Sequence, residues 1–436
     1  MSQEVLRNSR ISGLYRLDPA QRRTTLVRAG FLDPNDAALL GRTGSVVDQE
    51  LADSMIENVI GVFELPIGAA VNFLIDGKDY VLPMVVEEPS IVAAVSHVAR
   101  IVRDAGGFET QVDDPVMIGQ IQIVGLTNAR KAAQKIEAAK QELIDIANAR
   151  EPNMQKRGGG AKDLQVRVLA GETPDPLRDM IVVHLHIDCR DAMGANLVNT
   201  MAEAVAPRIA EITGGVAGLR ILSNLTDLRR ARARCTIPQD LLAWKEFDGA
   251  TVLDGILRAS EFAERCPYRA ATHNKGIMNG IDAVAIATGQ DWRAIEAGAH
   301  AWAGVGESYK PMATWRREGE ALIGEIDIPM SVGTVGGPIR LHPTVQALLR
   351  LADIQSAQEL AAVLVSVGLA QNLGAIKALG TTGIQQGHMA LHARSVAATA
   401  GAKGDEIDLV AQRMIAAEDI KVERAEKELQ ELRDNT

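Results

Sequence analysis

The first quarter of the chain changes from a helical to a strand-like pattern of apolar positions. Residues 17–60 predict short helices with turn signals between them. Strand-forming residues follow up to Val86, and Asp76-Gly77 between them predicts a hairpin turn, because both residues tolerate a left-handed backbone. Glu88-Pro89-Ser90 then predicts the start of an apolar helix that runs to about Ala105, with proline in its first turn.

Strand and helix patterns alternate between residues 118 and 223. Strands are predicted at 115–125, 164–169 and 180–187, and a charged helix at 129–149. The turn Asp191-Ala192-Met193-Gly194 leads into a helix that Pro207 bends and Gly214-Gly215 ends. Gly158-Gly159-Gly160 is predicted to be a flexible joint. The alternation predicts one small α/β domain.

The last part of the chain is predicted to be helical. Residues 270–303 are rich in Ala and Gly and poor in charge, which is typical of helices buried in a large domain. After Gly387, two helical stretches separated by Gly401 and Gly404 predict a C-terminal appendage that can move.

Composition excludes several classes of protein. A chain of 436 residues with 47% hydrophobic residues has room for two or three domains. A net charge of -10 and only 3% aromatic residues argue against a nucleic-acid surface. Three scattered cysteines without a CxxC pair indicate reduced thiols in the cytoplasm. No apolar stretch is expected to be long enough to span a bilayer.

Each candidate catalytic residue also has a structural interpretation. Glu87 and Glu88 suit the positive end of a helix dipole, or a proton donor in an apolar environment. Lys275 lies in an apolar segment where a lysine needs a partner or a role, with Asn279 on the same helical face; the alternative is an exposed loop. Asp291 stands where an N-cap begins the next helix, and the sequence alone does not displace that interpretation.

The histidines and glycines give weaker signals. His388 and His392 share a helical face without a third ligand at suitable spacing, so ordinary histidines or one acid–base histidine are favoured over a metal pair. His184 and His186 form a weak HxH motif, and we predict no metal site. No GxGxxG follows a strand, so a dinucleotide site cannot be of the Rossmann kind, although the helix start at Gly194 suits a phosphate.

Seven stretches together resemble class II, bacterial-type hydroxymethylglutaryl-coenzyme A reductase. They span most of the chain in this order: ENVIG at 57–61, VVEEPSIVAA at 85–94, DAMGAN at 191–196, ILSN at 221–224, THNKGIMNGID at 272–282, ATGQDWRAIEAGAHA at 287–301 and GHMALHAR at 387–394. The resemblance is weakest near the N-terminus and after residue 400.

The resemblance implies a catalytic set and a substrate site. The implied catalytic residues are Glu88, Lys275, Asp291 and His388, with Asp291 beside Lys275. Arg269, Ser90 and Asn279 are implied to hold the hydroxymethylglutaryl group, and Glu57 and Arg16 to lie near coenzyme A.

The resemblance also implies a nicotinamide cofactor. The implied dinucleotide-binding residues are Glu151, Asp191, Gly194, Asn196 and Asn224. Glu151 would accept a hydrogen bond from a ribose hydroxyl and repel a 2′-phosphate, which favours NAD and a role in mevalonate breakdown. Arg150, Lys156 and Arg157 could instead bind the 2′-phosphate of NADP in a biosynthetic enzyme. A lysine enzyme that forms a Schiff base and a non-catalytic coenzyme A-binding protein are the rival functions.

The implied architecture is α+β and multidomain. A large, mainly helical domain comes from residues 1–117 and 224–383, a small non-Rossmann α/β domain is inserted at 118–223, and a mobile helical flap covers 384–436. The family builds its active site at a homodimer interface, so dimers, and further assembly of dimers, are expected. No nucleic-acid or membrane partner is expected.

Overall fold

The computed structural model describes residues 7–171, 179–381 and 383–434, without the side chains of residues 338 and 384–391. Its strands are β1 Ile67–Ile75, β2 Lys78–Val85, β3 Glu109–Val112, β4 Val116–Val124, β5 Gly160–Leu169, β6 Met180–Asp188, β7 Val216–Leu222, β8 Arg230–Pro238, β9 Ala313–Glu318 and β10 Ala321–Pro329. Its helices are α1 Pro19–Arg28, α2 Pro34–Leu40, α3 Gln49–Asp53, α4 Ile91–Asp104, α5 Ala129–Ala138, α6 Lys140–Arg150, α7 Pro152–Lys156, α8 Ala195–Thr213, α9 Gly249–Arg265, α10 Pro267–Ala287, α11 Trp292–Ala303, α12 Gly337–Leu341, α13 Pro343–Ala352, α14 Ala357–Leu379, α15 Ile384–Thr399, α16 Asp405–Ala416 and α17 Val422–Asp434. Short 3-10 helices lie at Leu14–Arg16 and Gln239–Leu242.

The largest core surrounds α14. Strands β1 and β2 form the predicted hairpin, in which Asp76 and Gly77 both have positive φ, as a tight turn requires. A second, antiparallel sheet has the strand order β3-β8-β10-β9. Helices α4, α9, α10 and α14 pack between these strands, and most of α14 is buried.

Helix α14 corrects one expectation from the sequence. It is long and apolar enough to cross a membrane by length and composition, although no such stretch was expected. Most of its apolar window is buried inside the protein, so its apolar residues serve the core.

The small sheet is antiparallel throughout. Its strand order is β5-β6-β4-β7, and helices α5, α6 and α8 cover one face. Two β-α-β units therefore interleave, as in ferredoxin-like folds, and the predicted alternation of strands and helices does not form the parallel sheet of a Rossmann domain. Helix α8 contains Pro207 and ends at Gly214 with φ 72°, as predicted.

The predicted glycine joint is instead a tight corner. A β-carbon on Gly160 would lie 2.4 Å from Oδ1 of Asn148, and one on Gly159 would lie 2.6 Å from Sδ of Met154. Asn148 also binds both backbone groups of Ala161, at 3.0 and 2.8 Å. The glycines are needed here for close packing between α6, α7 and the start of β5.

The C-terminal segment forms three helices rather than the expected two. The second break falls at residues 417–421, where Glu418 has a φ of 52°. Residues from α15, α16 and α17, among them Ala393, Val410, Met414 and Leu429, form a hydrophobic cluster of their own. The α+β architecture with several separate cores agrees with the fold class expected from the sequence.

Candidate active site

Glu88 connects the start of α4 to one face of α10. Its Oε2 lies 3.2 Å from Nζ of Lys275 and accepts a 3.3 Å hydrogen bond from Nδ2 of Asn279. Lys275 and Asn279 are one helical turn apart, so both reach the same carboxylate. Lys275 lies inside α10, not in a loop, yet 64% of its side chain is exposed. The corner is therefore formed and also open to a ligand.

Ser90 gives the start of α4 an unusual backbone. It is the N-cap of α4 with φ 74°, in the left-handed region, so the helix begins at Ile91 and Pro89 lies outside it. Its hydroxyl donates to the carbonyl of Pro89, and its oxygen accepts no capping hydrogen bond from the amides of the helix start. A left-handed serine costs energy that neighbouring structure must offset, and such residues cluster at functional sites. The expected proline in the first helical turn is therefore wrong by two positions.

Arg269 adds a second cation to α10. It lies in the first turn of this helix, where burial lowers the pKa of its guanidinium. No carboxylate pairs with it among the described residues. A half-buried cation without a protein anion is an attractive partner for the carboxylate of a ligand.

Asp291 does not meet Lys275 within one chain. Its Oδ1 caps α11 by accepting a 3.0 Å hydrogen bond from the amide of Ala294, and Nη2 of Arg293 lies 3.8 Å away. Lys275 precedes the end of α10 by twelve residues, which is roughly 18 Å of helix at about 1.5 Å per residue. The N-cap interpretation is confirmed, and the expected contact with Lys275 is not formed in this chain.

Gln290, directly before Asp291, connects this part of the chain to the turn that precedes α8. The buried side chain of Gln290 accepts a 2.9 Å hydrogen bond from the amide of Gly333. Gly333 packs so closely on the turn before α8 that a β-carbon there would lie 2.4 Å from the amide nitrogen of Met193. Asp291 therefore lies close to the predicted dinucleotide turn.

The turn before α8 requires its glycine. Gly194 is the N-cap of α8 with φ 107°, and a β-carbon there would lie 2.4 Å from Sγ of Cys189. Asn196 is exposed in the first turn of α8, where backbone amides are available for a phosphate. Asp191 is exposed too, but its Oδ1 accepts a 2.9 Å hydrogen bond from the amide of Ala357 at the start of α14.

Asn224 lies on the far side of the same region. It is exposed in the loop after β7, and its carbonyl packs on Gly298 of α11 so closely that a β-carbon there would lie only 2.7 Å away. The structure thus collects Asp191, Gly194, Asn196 and Asn224 around the junction of the small sheet with α11 and α14.

Arg229 was not recognised as a site residue from the sequence. It belongs to a run with Arg230, Arg232 and Arg234, a sequence pattern that is typical of a solvated strand edge or a local phosphate contact. Instead it is 3% exposed, and it donates to the carbonyls of Ala192, Met193 and Val332. Burial lowers the pKa of its guanidinium. Arg229 therefore holds the dinucleotide turn against the large domain.

The rest of the arginine run is neutralised by carboxylates. Arg230 and Arg232 pair with Asp113 and Asp327 at distances between 2.7 and 3.7 Å. The Arg232 guanidinium holds the pKa of Asp113 below its usual range, although partial burial acts in the opposite direction. These arginines bind strands of the second sheet together and leave little positive charge for a nucleic acid.

Glu151 lies at the junction of α6 and α7. It is half-buried, and no side chain or backbone donor among the described residues binds its carboxylate. Arg150, Lys156 and Arg157 are exposed nearby in sequence. The same segment therefore contains both a carboxylate that can accept from a ribose hydroxyl and cations that can bind a phosphate.

Arg16 lines a large cavity along α4. The cavity has a volume of about 1090 Å³, and its lining combines apolar residues with the cations Arg16, Arg22, Arg23 and Arg100. Val92, two residues after Ser90, also lines it. Burial places His97, which also lines the cavity, near a pKa of about 4, so this histidine is neutral at neutral pH.

Glu57 lies in an exposed apolar loop. Ile56, Ile60 and Phe63 in this loop are 65%, 102% and 88% exposed. Large contiguous apolar surfaces of this kind are usually covered by another protein surface.

The predicted histidine acid falls outside the described side chains. His388 lies in α15, but the description of the structure does not extend to its side chain. His392 is exposed on the same helix. Among the described residues, no group of three or more His, Cys, Asp or Glu side chains has a metal-site arrangement.

Comparison with known proteins gives consistent results over most of the chain. The family model of hydroxymethylglutaryl-coenzyme A reductase matches residues 19–393. The 3-hydroxy-3-methylglutaryl-coenzyme A reductase of Archaeoglobus fulgidus is 48% identical over 429 residues, which cover 98% of this chain and 95% of that protein. A solved reductase from Streptococcus pneumoniae is 42% identical, with a TM-score of 0.82 over 97% of this chain and 99% of that one. A second solved structure, of the class II enzyme from the same organism bound to NADPH in open conformations, is 43% identical, with a TM-score of 0.80 over 96% and 100% of the two chains.

These findings define the chain first as an NAD(P)-dependent oxidoreductase of α+β, multidomain architecture. It belongs to the hydroxymethylglutaryl-coenzyme A reductase family and resembles the class II, bacterial type within it. The resemblance drawn from the seven sequence stretches is thereby confirmed.

Proposed function

We propose that this protein interconverts hydroxymethylglutaryl-coenzyme A with mevalonate and coenzyme A, using NAD. The observation that carries the proposal is the corner in which the Glu88 carboxylate meets Lys275 and Asn279 beside the strained Ser90. Reduction of a carbonyl to an alcohol requires a cation that stabilises the developing oxyanion and an acid that delivers a proton. The corner supplies both, together with an amide.

Each residue of the corner has a distinct task. A nicotinamide cofactor held at Gly194, Asn196 and Asn224 would supply or accept the hydride. Lys275 stabilises the negative charge that develops on the former carbonyl oxygen, and Glu88 delivers or removes the proton there. Collapse of the hemithioacetal expels a thiolate, which His388 protonates when the C-terminal helices close over the site.

Asp291 completes the site from a second chain. The twelve residues of α10 after Lys275, roughly 18 Å of helix, separate it from Lys275 of its own chain, and it is attached to the dinucleotide turn through Gln290 and Gly333. In a homodimer these residues meet across the interface. One chain supplies Lys275 and Glu88, and its partner supplies Asp291 and the dinucleotide. The exposed apolar loop around Ile60 and Phe63, which carries Glu57, is the surface we assign to this interface.

The substrate lies at the start of α4, and coenzyme A lies along the same helix. Arg269, Ser90 and Asn279 hold the hydroxymethylglutaryl group, with Arg269 as partner of its free carboxylate. The cavity with Arg16 begins two residues beyond Ser90 and takes coenzyme A, because its four arginines match phosphates and its apolar lining matches the pantetheine chain.

The dinucleotide fits the junction at α8. Gly194 leaves room for a close approach of a pyrophosphate to the helix start, and the exposed Asn196 and Asn224 flank it. Glu151 is the feature that favours NAD, since no donor among the described residues binds its carboxylate, which would repel a 2′-phosphate. The NADPH bound to the Streptococcus pneumoniae enzyme favours the alternative, in which Arg150, Lys156 and Arg157 bind that phosphate.

The use of NAD favours the oxidative direction, in which mevalonate is broken down, and we place this reaction in the cytoplasm. The three cysteines are free thiols, which agrees with a reducing compartment. We keep the division of the chain at residues 118, 224 and 384 as part of the proposal, with the last segment as the flap. A further assembly of dimers remains part of it as well.

The first test is nicotinamide absorbance during mevalonate oxidation with coenzyme A, with NAD and NADP measured side by side. We expect reduction of NAD and at least about a 10-fold lower kcat/KM with NADP, equivalent to about 1.4 kcal/mol. Glu151→Gln should reduce the ratio of kcat/KM with NAD to kcat/KM with NADP. Glu137→Gln, which removes an acidic group on neighbouring α5, should leave that ratio unchanged. Preference for NADP in the wild type would overturn the assignment of Glu151, and absence of turnover with both cofactors would favour the Schiff-base or non-catalytic alternatives.

A further inference from the structure

A chain of hydrogen bonds joins α10 to α11 and to the loop that follows. Nε2 of His300 lies 2.7 Å from Oε2 of Glu296, and Nδ1 of His300 lies 2.6 Å from the hydroxyl of Tyr309. At one end, Nδ2 of Asn274 in α10 donates a 2.9 Å hydrogen bond to the carbonyl of Lys310, directly after Tyr309. At the other end, the Glu296 side chain acts on Asp282 of α10. These five side chains therefore brace α11 along α10 at two points.

The contact between Asp282 and Glu296 joins two carboxyl groups. Burial and the neighbouring Glu296 carboxylate both disfavour a charged Asp282, so the pair favours one shared proton. Burial first, and then the Glu296 carboxylate, raise the pKa of Asp282 to about 8, whereas His300 lowers the pKa of Glu296. The other oxygen of Asp282, Oδ1, is buried without a hydrogen-bond partner among the described residues. The proton therefore resides on Asp282 at neutral pH.

The brace has catalytic groups at both ends. Asn274 directly precedes Lys275, and Asp282 lies seven residues after Lys275, on the same face of α10. Glu296 lies five residues after Asp291 on α11. Whatever fixes α11 on α10 also fixes the distance between these two catalytic residues of one chain.

We propose that Asp282 and Glu296 share one proton and act as a positioning pair that sets Asp291 relative to Lys275. The inference rests on the proposed function, in which each chain gives Lys275 to one active site and Asp291 to the other. The paired helices are then the link between the two sites of the dimer, and small displacements of a catalytic group are costly.

The pair makes the site sensitive to alkaline pH. The charged and titratable groups that act on it are Glu296 and His300 from α11, with Tyr309 from the following loop. From α14, the neutral Gln371 packs against Gly280, beside Asp282. A carboxyl whose pKa is raised in the folded protein contributes stability at low pH and loses it as the pH rises through about 8. Above that pH the two carboxylates repel each other, and this one contact between α10 and α11 is weakened.

The test compares Asp282→Asn with Asp282→Ala in the dimeric enzyme, by kcat, KM and melting temperature between pH 6 and 10. Asparagine imitates the protonated acid, so we expect kcat within about 3-fold of wild type at pH 7 and loss of the alkaline decline that begins near pH 8. Alanine removes the partner of Glu296, so kcat should fall about 10-fold or more with KM changed by less than about 2-fold. Glu261→Gln, an exposed acid paired with Arg265 on α9, is the matched control and should leave both profiles unchanged.

The outcomes separate the two proposals. An Asp282→Asn enzyme that keeps the wild-type alkaline decline, or that loses as much activity as Asp282→Ala, overturns the positioning pair. If the alanine variant does not fold, Glu296→Gln takes its place beside Asp282→Asn, and an unchanged pH profile in both overturns the proposal. Absence of wild-type turnover overturns the proposed function instead.

Discussion

The corner of Glu88 and Lys275 and the junction around Arg229 are built in opposite ways. The corner is exposed and depends on two contacts of 3.2 and 3.3 Å to one carboxylate. The junction is buried, with one guanidinium bonded to three carbonyls and with two glycines at which a β-carbon would clash. The residues proposed to react are thus exposed to a ligand, while the support of the proposed dinucleotide turn is already formed in the single chain.

Lys275→Ala provides the largest test of this difference. Removal of a cation from a developing oxyanion should lower kcat by about 1,000-fold. The side chain is 64% exposed, so the melting temperature should stay within about 1 °C of wild type. Lys427→Ala is the matched control, since Lys427 is equally exposed and also pairs with a glutamate. Turnover close to that of the control would remove Lys275 from the catalytic set.

Arg229→Met should mainly lower stability, whereas Lys275→Ala mainly lowers kcat. The carbonyls of Ala192, Met193 and Val332 lose their buried donor, which should lower the free energy of unfolding by about 3 kcal/mol. Urea denaturation measures this change, and steady-state kinetics should show a higher KM for the dinucleotide. Arg317→Met, which breaks an exposed pair with Asp254, should cost less than about 0.5 kcal/mol. Equal stability of the two variants would contradict the role given to Arg229.

Gly194→Ala should have a smaller effect on the same junction. Strain at φ 107° and the clash with Sγ of Cys189 should together cost about 2 kcal/mol and weaken dinucleotide binding. The double variant Gly194→Ala/Cys189→Ala removes the clash but not the backbone strain, so about half of the loss should be recovered in a thermal melt. If the double variant recovers nothing, the sulfur contact does not limit this turn.

The local parts of the fold could be predicted from the sequence. The Asp76-Gly77 hairpin, the end of α8 at Gly214 and the cap at Asp291 each depend on a few adjacent residues, and the structure confirms them. Lys275 and Asn279 were placed on one helical face by spacing alone, and Glu88 joined them through the family resemblance. The structure shows that the three side chains meet.

The errors have a common physical cause. Gly159 and Gly160 were predicted to form a flexible joint, because the sequence does not show that Met154 and Asn148 pack against them in the folded protein. The arginine run around Arg229 has a pattern typical of a solvated strand edge, whereas the carbonyls that Arg229 binds lie 36 to 103 residues away in sequence. The separation of Asp291 from Lys275 depends on the last twelve residues of α10 being helical, which no motif encodes. Distances across the fold decided these points, and periodicity and composition carry no such distances.

The insertion of the small sheet between β3 and β8 sets an order of events during synthesis. Strands β4 to β7 are contiguous in sequence, so this unit can fold as soon as residue 222 has left the ribosome. Strand β3, made earlier, must wait for β8 across the insertion, and the surrounding core stays incomplete until α14 emerges. The apolar α14 is thus made late and has a prepared cleft to enter, which shortens the time for which a helix of that hydropathy is exposed to aggregation.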